Sequence, residues 1–209
     1  MLPPNDLNEL FQFYNDYVKL LYSSVQINNE LPVEVLFELN AALDHISRKY
    51  VYDEPEKVVV EKAFSHLKRS CLDIFKLQVK IATDQFKELR KIDTSIIDNG
   101  EFDKKLLTLY HNIQNGARIA RKEEGDRRYD KDGYIKSFDL WEPVYENAVL
   151  LQEDFYYNKN VEWAKKKNKI YNLKTFLLSL LASFIAGLLT KNYIIQLFNS
   201  FIDFLKSAK

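Results

Sequence analysis

Apolar residues recur along the chain at intervals of three and four positions, the spacing that places side chains on one face of an α-helix. Five such stretches occur, over about residues 6–27, 32–50, 55–91, 101–123 and from 139 onward. No run of alternating apolar and polar residues indicates a β-strand. The sequence therefore predicts an all-α protein, a bundle of long helices.

The apolar stripes of the first four helices predict which side chains face the core. In the first two helices these are Leu7, Leu10, Phe11, Tyr14, Val18, Leu21 and Val25, followed by Val35, Leu36, Leu39, Ala42, Leu43 and Ile46. In the third and fourth they are Val59, Ala63, Leu67, Ser70, Ile74, Leu77 and Ile81, followed by Phe102, Leu106, Leu109, Ile113 and Ala117.

Turn and cap residues predict where the helices begin. Pro32 suits the first turn of the second helix, and Asn99-Gly100 predicts a turn before the fourth. Asp139 and Glu142 have capping-box spacing, so the fifth helix is expected to open near Asp139 with Pro143 in its first turn. No Pro or Gly then occurs before Gly187, and this helix is expected to continue into the apolar segment that follows.

That segment, residues 175–190, contains no charge and lies between Lys174 and Lys191. Sixteen helical residues rise about 24 Å, somewhat less than the roughly 30 Å hydrocarbon core of a bilayer. Apolar residues on both sides extend the segment, and snorkelling lysines and Tyr171 and Tyr193 suit the interfaces. The alternative is a central helix that the rest of a soluble bundle surrounds. The basic cluster KKKNK before the segment and the apolar stretch after it favour a membrane span.

The lysines on the N-terminal side of the span predict its orientation. This basic membrane flank consists of Lys165, Lys166, Lys167, Lys169 and Lys174. Because it outnumbers the basic residues of the tail, the positive-inside rule places the N-terminal part in the cytoplasm of a bacterial cell. The expected organisation is a cytoplasmic helical bundle (1–170), a transmembrane helix in the inner membrane (171–191) and an amphipathic tail (192–209).

Small residues follow one face of the predicted span. Thr175, Ser179, Ser183 and Gly187 recur every four positions, which suits either close helix–helix contact or the wall of a pore. The polar stripe of the tail, which begins at Asn192, lies about 150° around the helix from this face. One straight helix cannot present both stripes to the same partner, so we expect a break near Lys191-Asn192.

Composition narrows the classes of function. The chain of 209 residues is 46% hydrophobic and 29% charged, with formal net charge zero, which gives no general signature of DNA binding. The single Cys71 predicts a free buried thiol. No metal-binding spacing, phosphate-binding Gly-rich loop or nucleophile motif is present, so we expect neither a metal or other cofactor nor catalytic residues.

Charged and imidazole side chains cluster on the second and third helices. If these two helices pack antiparallel, His45 and His66 can meet with Glu38 and Arg69 nearby. The full set is Glu38, Asp44, His45, Arg48, Glu61, His66 and Arg69. It is compatible with a ligand pocket or acid–base site, and with a buried hydrogen-bond network that fixes the register of the helices. The pattern favours the network.

The run ELNAALDHISR, followed by a helix with HLKRS, resembles small helical proteins related to the HEPN superfamily. A bundle of this kind ahead of a short membrane segment is similar to membrane effectors of prokaryotic antiviral defence, such as the membrane accessory protein found beside Cas13b and the channel effector of the Hailong system. The nuclease motif of the superfamily is an arginine followed, after four to six residues, by a histidine. It is absent here: the residues five positions before the three histidines are Asn40, Glu61 and Leu106, and no arginine occupies the neighbouring positions. The resemblance implies an oligomeric pore rather than an enzyme.

Three functions are therefore weighed. The first is a homo-oligomeric channel of an anti-phage system, gated through its bundle by a nucleotide or oligonucleotide that basic residues of NGARIARKEEGDRRY and KKKNK would meet. The second is a membrane-tethered adaptor that binds a partner protein from the same operon and conducts nothing. The third is a degenerate ribonuclease with a hydrolytic role for His45 or His66.

Overall fold

A computed structural model of the chain describes residues 3–26, 32–126 and 133–207. Within these ranges the regular elements are all helices, and no β-strand occurs. The all-α fold class predicted from the sequence is confirmed for this part of the chain. Contacts divide the chain into two compact units, residues 1–161 and 162–209, and each is described by itself.

The first unit contains six α-helices within its described residues, joined in places by shorter helical segments. They are α1 (Leu7–Phe13), α2 (Lys19–Val25), α3 (Val33–Val51), α4 (Glu56–Leu89), α5 (Glu101–Asp126) and α6 (Gly133–Leu150). The π-helical segments Tyr14–Val18 and Leu151–Tyr156 continue α1 into α2 and extend α6, and the 3₁₀ turns Thr94–Ile96 and Asp98–Gly100 precede α5.

The first predicted helix is confirmed as α1, a π-helical segment and α2. The Asp6 carboxylate accepts a hydrogen bond from the Glu9 amide at 2.9 Å, which satisfies one of the free N–H groups at the start of the helix. Leu10 and Val18 are fully buried, as their spacing predicts, whereas Phe11 is 43% exposed. The predicted end at Ile27 lies outside the described residues.

α3 and α4 form an antiparallel helical hairpin, and α3 departs from its predicted core pattern. Val35 and Ala42 are buried against α4, but Leu36 and Leu43 are exposed by 40% and 63%. The prediction that Leu36 and Leu43 are core residues is therefore wrong. α3 packs along α4, and its side facing α1 is left open.

α4 is the central helix of the first unit, in contact with α1, α2, α3, α5 and α6. Its predicted stripe is buried from Val59 to Ile74, whereas Leu77 and Ile81 are only partly covered. Side chains outside the stripe are buried as well, including Phe64, Cys71 and Phe75. A helix with neighbours on several sides needs apolar residues around most of its circumference, which a one-face prediction does not capture.

The fourth predicted helix is confirmed as α5. Its five predicted core residues, Phe102, Leu106, Leu109, Ile113 and Ala117, are all buried. The predicted turn before it is present, with Asn99 and Gly100 at φ of 53° and 90°. Only glycine adopts such values without strain, and asparagine tolerates them better than most residues.

The prediction for the start of the fifth helix is wrong. α6 begins at Gly133, so Asp139 and Glu142 lie inside the helix and Pro143 is not in its first turn. The expected continuation of this helix into the apolar segment is also wrong, because the chain turns at Tyr157 and Asn158. The Asn158 side-chain oxygen accepts a hydrogen bond from the Asn160 amide at 2.9 Å, so Asn158 caps the start of the next helix.

That next helix, α7 (Lys159–Ser207), makes up nearly all of the second unit. It is the helix among the described residues that is long and apolar enough to cross a membrane, and its most apolar stretch is not buried against any other part of the chain. The predicted break near Lys191-Asn192 is absent, since α7 is continuous through both residues. No Pro or Gly follows Gly187 to interrupt it, and a shift of the polar stripe around a helix does not require the backbone to bend.

Candidate functional site

The polar set predicted on α3 and α4 centres on three side chains that the structure brings together. Nδ1 of His66 lies 2.6 Å from Oε2 of Glu38, a hydrogen bond that joins α4 to α3. The imidazole rings of His45 and His66 stack, with their centroids 5.1 Å apart and their planes inclined by 27°. The antiparallel hairpin permits this arrangement because Glu38 and His45 lie two helical turns apart on α3 and flank His66 of α4.

The surroundings of His45 disfavour its protonated form. Partial burial lowers the pKa of His45, and the nearby His66, Arg48 and Lys62 lower it further, while Asp44 acts in the opposite direction. Nδ1 of His45 is buried without a hydrogen-bond partner among the described residues. A neutral imidazole stacked on a second imidazole is consistent with all three observations.

Asp44 and Arg48 form a separate pair at the end of the hairpin. Nη2 and Nε of Arg48 lie 2.9 and 3.0 Å from Oδ2 of Asp44, one helical turn away. Glu54, in the loop between α3 and α4, lies 3.6 Å from Lys62 and 4.0 Å from Arg48. Most of these side chains are well exposed, so each pair contributes little to stability.

Glu61 and Arg69 occupy the remaining predicted positions on α4. Glu61 is exposed and lies five residues before His66, which rotates it about 140° around the helix from the histidine. The structure therefore does not bring Glu61 to the His45–His66 pair. Arg69 follows His66 by three residues, which puts it on the same side of α4, and Nε of Arg69 is buried.

The Glu38–His66 hydrogen bond and the His45–His66 stack connect α3 to α4. Among the described residues, no group of three or more histidine, cysteine or carboxylate side chains is arranged to hold a metal ion. Within the part of the chain that the structure describes, His66 has a carboxylate partner, Glu38, and no serine or cysteine in hydrogen-bond contact. Because Glu38 and His66 lie on different helices, their bond favours one register of α3 on α4, and the predicted role of the set as a structural network stays a prediction.

A second polar group, which the sequence analysis did not predict, lies in the core of the first unit. Lys68 is only 5% exposed, and its ammonium has no hydrogen-bond partner among the described residues. It lies 4.8 Å from the ring centre of Phe138 and 5.6 Å from that of Phe64, so cation–π attraction replaces hydrogen bonds. Burial lowers the pKa of Lys68 although Asp139 and Glu142 act against the shift.

Glu142, near this buried lysine, also accepts a hydrogen bond from the Tyr17 hydroxyl, which joins α6 to the π-helical segment after α1. Burial raises the pKa of Tyr17, and its bond to Glu142 raises it further.

The sequence does contain a signal for the buried position of Lys68. It lies four residues after Phe64 and three before Cys71, on a face of α4 that is apolar at both positions.

The small-residue stripe of the predicted span lies on an exposed face of α7. Its hydroxyl groups donate to carbonyl oxygens of their own helix, from Thr175 to Tyr171, from Ser179 to Phe176 and from Ser183 to Ser179, over 2.8 to 3.0 Å. A methyl group added at Gly187 would meet no atom within 4 Å. The hydroxyls are thus satisfied within one helix, which lowers the cost of placing them in lipid.

The basic membrane flank lies on the N-terminal part of α7. Lys165, Lys166, Lys167, Lys169 and Lys174 are all exposed. The Lys167 ammonium lies 4.6 Å from the ring centre of Trp163. Cations beside an amphipathic aromatic ring suit a membrane–water boundary, where both find favourable surroundings.

The other basic stretch, NGARIARKEEGDRRY, lies on α5 and beyond its end. Arg118 donates to the Asn115 side chain at 3.0 Å, and the Arg121 guanidinium lies 5.6 Å from the ring centre of the buried Trp141. Residues 127–129 of this stretch are outside the described residues. The nucleotide-binding role proposed for it stays a prediction.

Comparisons of the chain with protein-family models, with curated proteins and with solved structures gave no match. The resemblance to HEPN-related proteins and antiviral membrane effectors rests on the sequence motifs alone and stays a prediction.

Proposed function

We propose that the protein is a homo-oligomeric membrane effector that inserts α7 into the bilayer and is controlled through its helical bundle. The observation that carries the proposal is the exposure of the apolar stretch of α7. Nine large apolar side chains between Thr175 and Thr190 have no cover from the chain itself: Phe176, Leu177, Leu178, Leu180, Leu181, Phe184, Ile185, Leu188 and Leu189.

The energy available from inserting this stretch is large. Transfer of a fully exposed large apolar side chain out of water is worth about 1.5–3 kcal/mol, and these nine are 49–68% exposed, so together they supply on the order of 8–16 kcal/mol. The backbone of the stretch is helical throughout, so it takes no unpaired N–H or C=O group into the hydrocarbon. The exposed lysines on its N-terminal side support the proposed orientation, with the bundle in the bacterial cytoplasm.

The step from span to pore rests on the small-residue stripe and on the resemblance to antiviral membrane effectors. Small residues let helices approach closely, so several copies can surround a narrow path with Thr175, Ser179 and Ser183 facing it. An anti-phage role, with gating by a nucleotide or oligonucleotide, is the function that the resemblance suggests.

A membrane-tethered adaptor is the second candidate. Two observations favour it: the hydroxyls of the stripe are already bonded to their own helix, and the bundle has an open apolar groove beside α3. An adaptor would use the bundle to bind a protein and α7 only to hold it at the membrane.

The membrane potential separates these two functions. Expression of the active effector in bacteria should depolarise the inner membrane and arrest growth, as measured with a voltage-sensitive dye. Gly187→Leu should abolish both effects while the protein still reaches the membrane. Because a Cβ atom at position 187 meets no atom of the chain within 4 Å, we expect the added side chain to act on a neighbouring helix.

Leu181→Phe is the matched control, since it adds bulk on the opposite face of the same helix and should leave depolarisation unchanged. Growth arrest with an intact potential would contradict the pore and favour the adaptor.

A further inference from the structure

An open apolar groove runs along the first unit between α1 and α3. Both helices pack on α4 and leave between them a space of about 570 Å³. Leu10, Ala42 and Leu67, which are buried, lie at its base, and Phe11, Leu36 and Leu43 lie along its exposed walls. The groove is formed entirely by described residues of one compact unit.

Side chains that line and border the groove are unusually exposed for their type. Phe11 and Leu36 are exposed by 43% and 40%, and Leu43 by 63%. Phe37, on the ridge of α3 next to the groove, is 70% exposed and lies one turn from Asn40. Soluble surfaces rarely keep large apolar side chains side by side in this way unless another molecule covers them.

We propose that this groove is where a second copy of the chain docks. The exposed side of α3, which carries Leu36, Phe37 and Leu43, would pack from one copy into the groove of the other. This contact would join the helical bundles of the oligomeric effector proposed above. It rests on that proposed function only in one respect, that copies of the chain associate.

The absence of charge from the groove favours a second copy over a different partner. None of its lining residues is charged, and its polar side chains are the phenol of Tyr14 and the amides of Asn15 and Asn40. In a two-fold interface the same patch of both copies is buried, so a lining without charged residues can meet itself without burying an unpaired charge, and its amides can both donate and accept. A lining without net charge gives a basic or acidic partner nothing to select.

The two amides are suited to pair across such an interface. The Asn15 side-chain nitrogen donates to the Phe11 carbonyl oxygen at 3.0 Å, which leaves the Asn15 side-chain oxygen as an acceptor. Asn40 is exposed and can turn its nitrogen toward that oxygen in a second copy. Two such bonds, related by the two-fold axis, would set the register of the pair.

The exposed apolar area of the groove is smaller than a stable dimer needs by itself, and it suits one contact among several between two copies. At about 200 Å² for a large side chain, the exposed parts of Phe11, Leu36, Phe37 and Leu43 amount to roughly 400 Å² per copy. A stable interface buries about 800 Å² per partner. The groove therefore supplies about half of a stable interface, which suits a contact between copies already concentrated in one membrane.

The test compares two leucines with the same exposure. Leu43→Glu places a charge in the groove, and Leu20→Glu places one on α2 at a position that is 64% exposed and outside the groove. We expect Leu43→Glu to weaken association of the full-length protein at least tenfold, measured by mass photometry in detergent. Leu20→Glu should associate as the unchanged protein does, and both variants should keep its melting temperature because neither position is buried.

A cross-linking experiment in intact membranes provides the second measurement. The one native cysteine, Cys71, is fully buried, so a cysteine placed at the surface should react alone with a bis-maleimide. Leu43→Cys should give covalent dimers and Leu20→Cys should not. Equal association of both glutamate variants together with no cross-link at position 43 overturns the proposal, and so does a full-length chain that is monomeric.

These outcomes are distinct from failure of the proposed function. An oligomer that Gly187→Leu disrupts and Leu43→Glu does not would leave the membrane effector in place and refute the groove. Cross-linking at position 43 in a chain that needs no membrane would keep the groove and refute the effector.

Discussion

At the scale of single residues, His45 is the group whose surroundings predict a measurable dependence of stability on pH. Partial burial disfavours the charged form of His45, and His66, on which it stacks, together with Arg48 and Lys62 adds to this effect, with Asp44 as the opposing group. The pKa of His45 is therefore lower in the folded chain than in the unfolded one. Where that holds, the unfolded chain binds more protons, so stability falls as the pH drops through the unfolded value of about 6.5.

The predicted result is a loss of melting temperature on acidification that depends on His45. Between about pH 7.5 and 5.5, a range that spans the ordinary pKa of histidine, the unchanged protein should lose stability and His45→Gln should lose less. His111→Gln is the matched control because it makes the same substitution at an exposed position of α5. Circular dichroism would measure the melting temperature as a function of pH. If the unchanged protein and both variants gave the same profile, the role of His45 would be contradicted.

The sequence was sufficient to predict which residues of the polar set meet, but only where helical spacing determines the outcome. Glu38 and His45 lie seven positions apart on one face, and their contact with His66 followed from an antiparallel hairpin. Glu61 was included for its charge, although its five-residue distance from His66 points it elsewhere. The sequence does not predict the burial of Lys68 because a lysine is rarely buried; the rings of Phe64 and Phe138, with Asp139 and Glu142 nearby, stabilise its charge.

At the scale of helices, the contact between α5 and α6 depends on a glycine. A Cβ atom added at Gly116 would lie 2.7 Å from Cγ2 of Val144, closer than atoms in real structures approach. Val144 is buried and β-branched, so its side chain has few alternative rotamers. The absence of a side chain at Gly116 allows α6 to pack closely on α5.

Gly116→Ala should therefore destabilise the protein by roughly 1–3 kcal/mol through overpacking, although alanine is the better helix former by about 1 kcal/mol. Chemical denaturation would measure the change. The double variant Gly116→Ala/Val144→Ala should lose less than the two single changes together, since the second removes the atom in the way. A Gly116→Ala variant as stable as the unchanged protein would mean that α6 can move away from α5 at no cost.

Apolar spacing was enough to predict most helices, and the errors occurred where a helix has an unusual neighbour or none. Leu36 and Leu43 continue the stripe of α3, yet the open groove beside α3 leaves them exposed. Pro143 was expected in a first turn but lies within α6. The turn at Asn158 depends on an asparagine side chain that bonds locally, which composition alone does not distinguish from a helical asparagine.

At the scale of the whole chain, the first unit and the apolar stretch of α7 differ in how they expose apolar surface to water. The first unit buries its own core, which includes Leu10, Phe75 and Trp141. The stretch from Thr175 to Thr190 buries nothing. Removal of the apolar stretch is therefore expected to change the solubility of the chain without unfolding the first unit.

A chain that ends at Lys169 keeps every buried residue of the first unit and removes the whole apolar stretch. We expect it to be helical, monomeric or weakly associated, and soluble without detergent. The full-length chain should instead sediment with membranes, resist extraction by alkaline carbonate and require detergent for release, because exposure of these nine large apolar side chains to water costs on the order of 8–16 kcal/mol.

A control of full length separates the effect of the apolar stretch from that of chain length. Leu181→Lys/Phe184→Lys adds two charges near the middle of the stretch, each of which costs about 2.5–3.5 kcal/mol at the centre of a membrane helix. This variant should be less firmly held by membranes than Leu181→Ala/Phe184→Ala, which shortens the same side chains without charge. If the unchanged full-length protein is recovered as a soluble monomer without detergent, α7 is not a membrane span, and the effector and the tethered adaptor are both refuted.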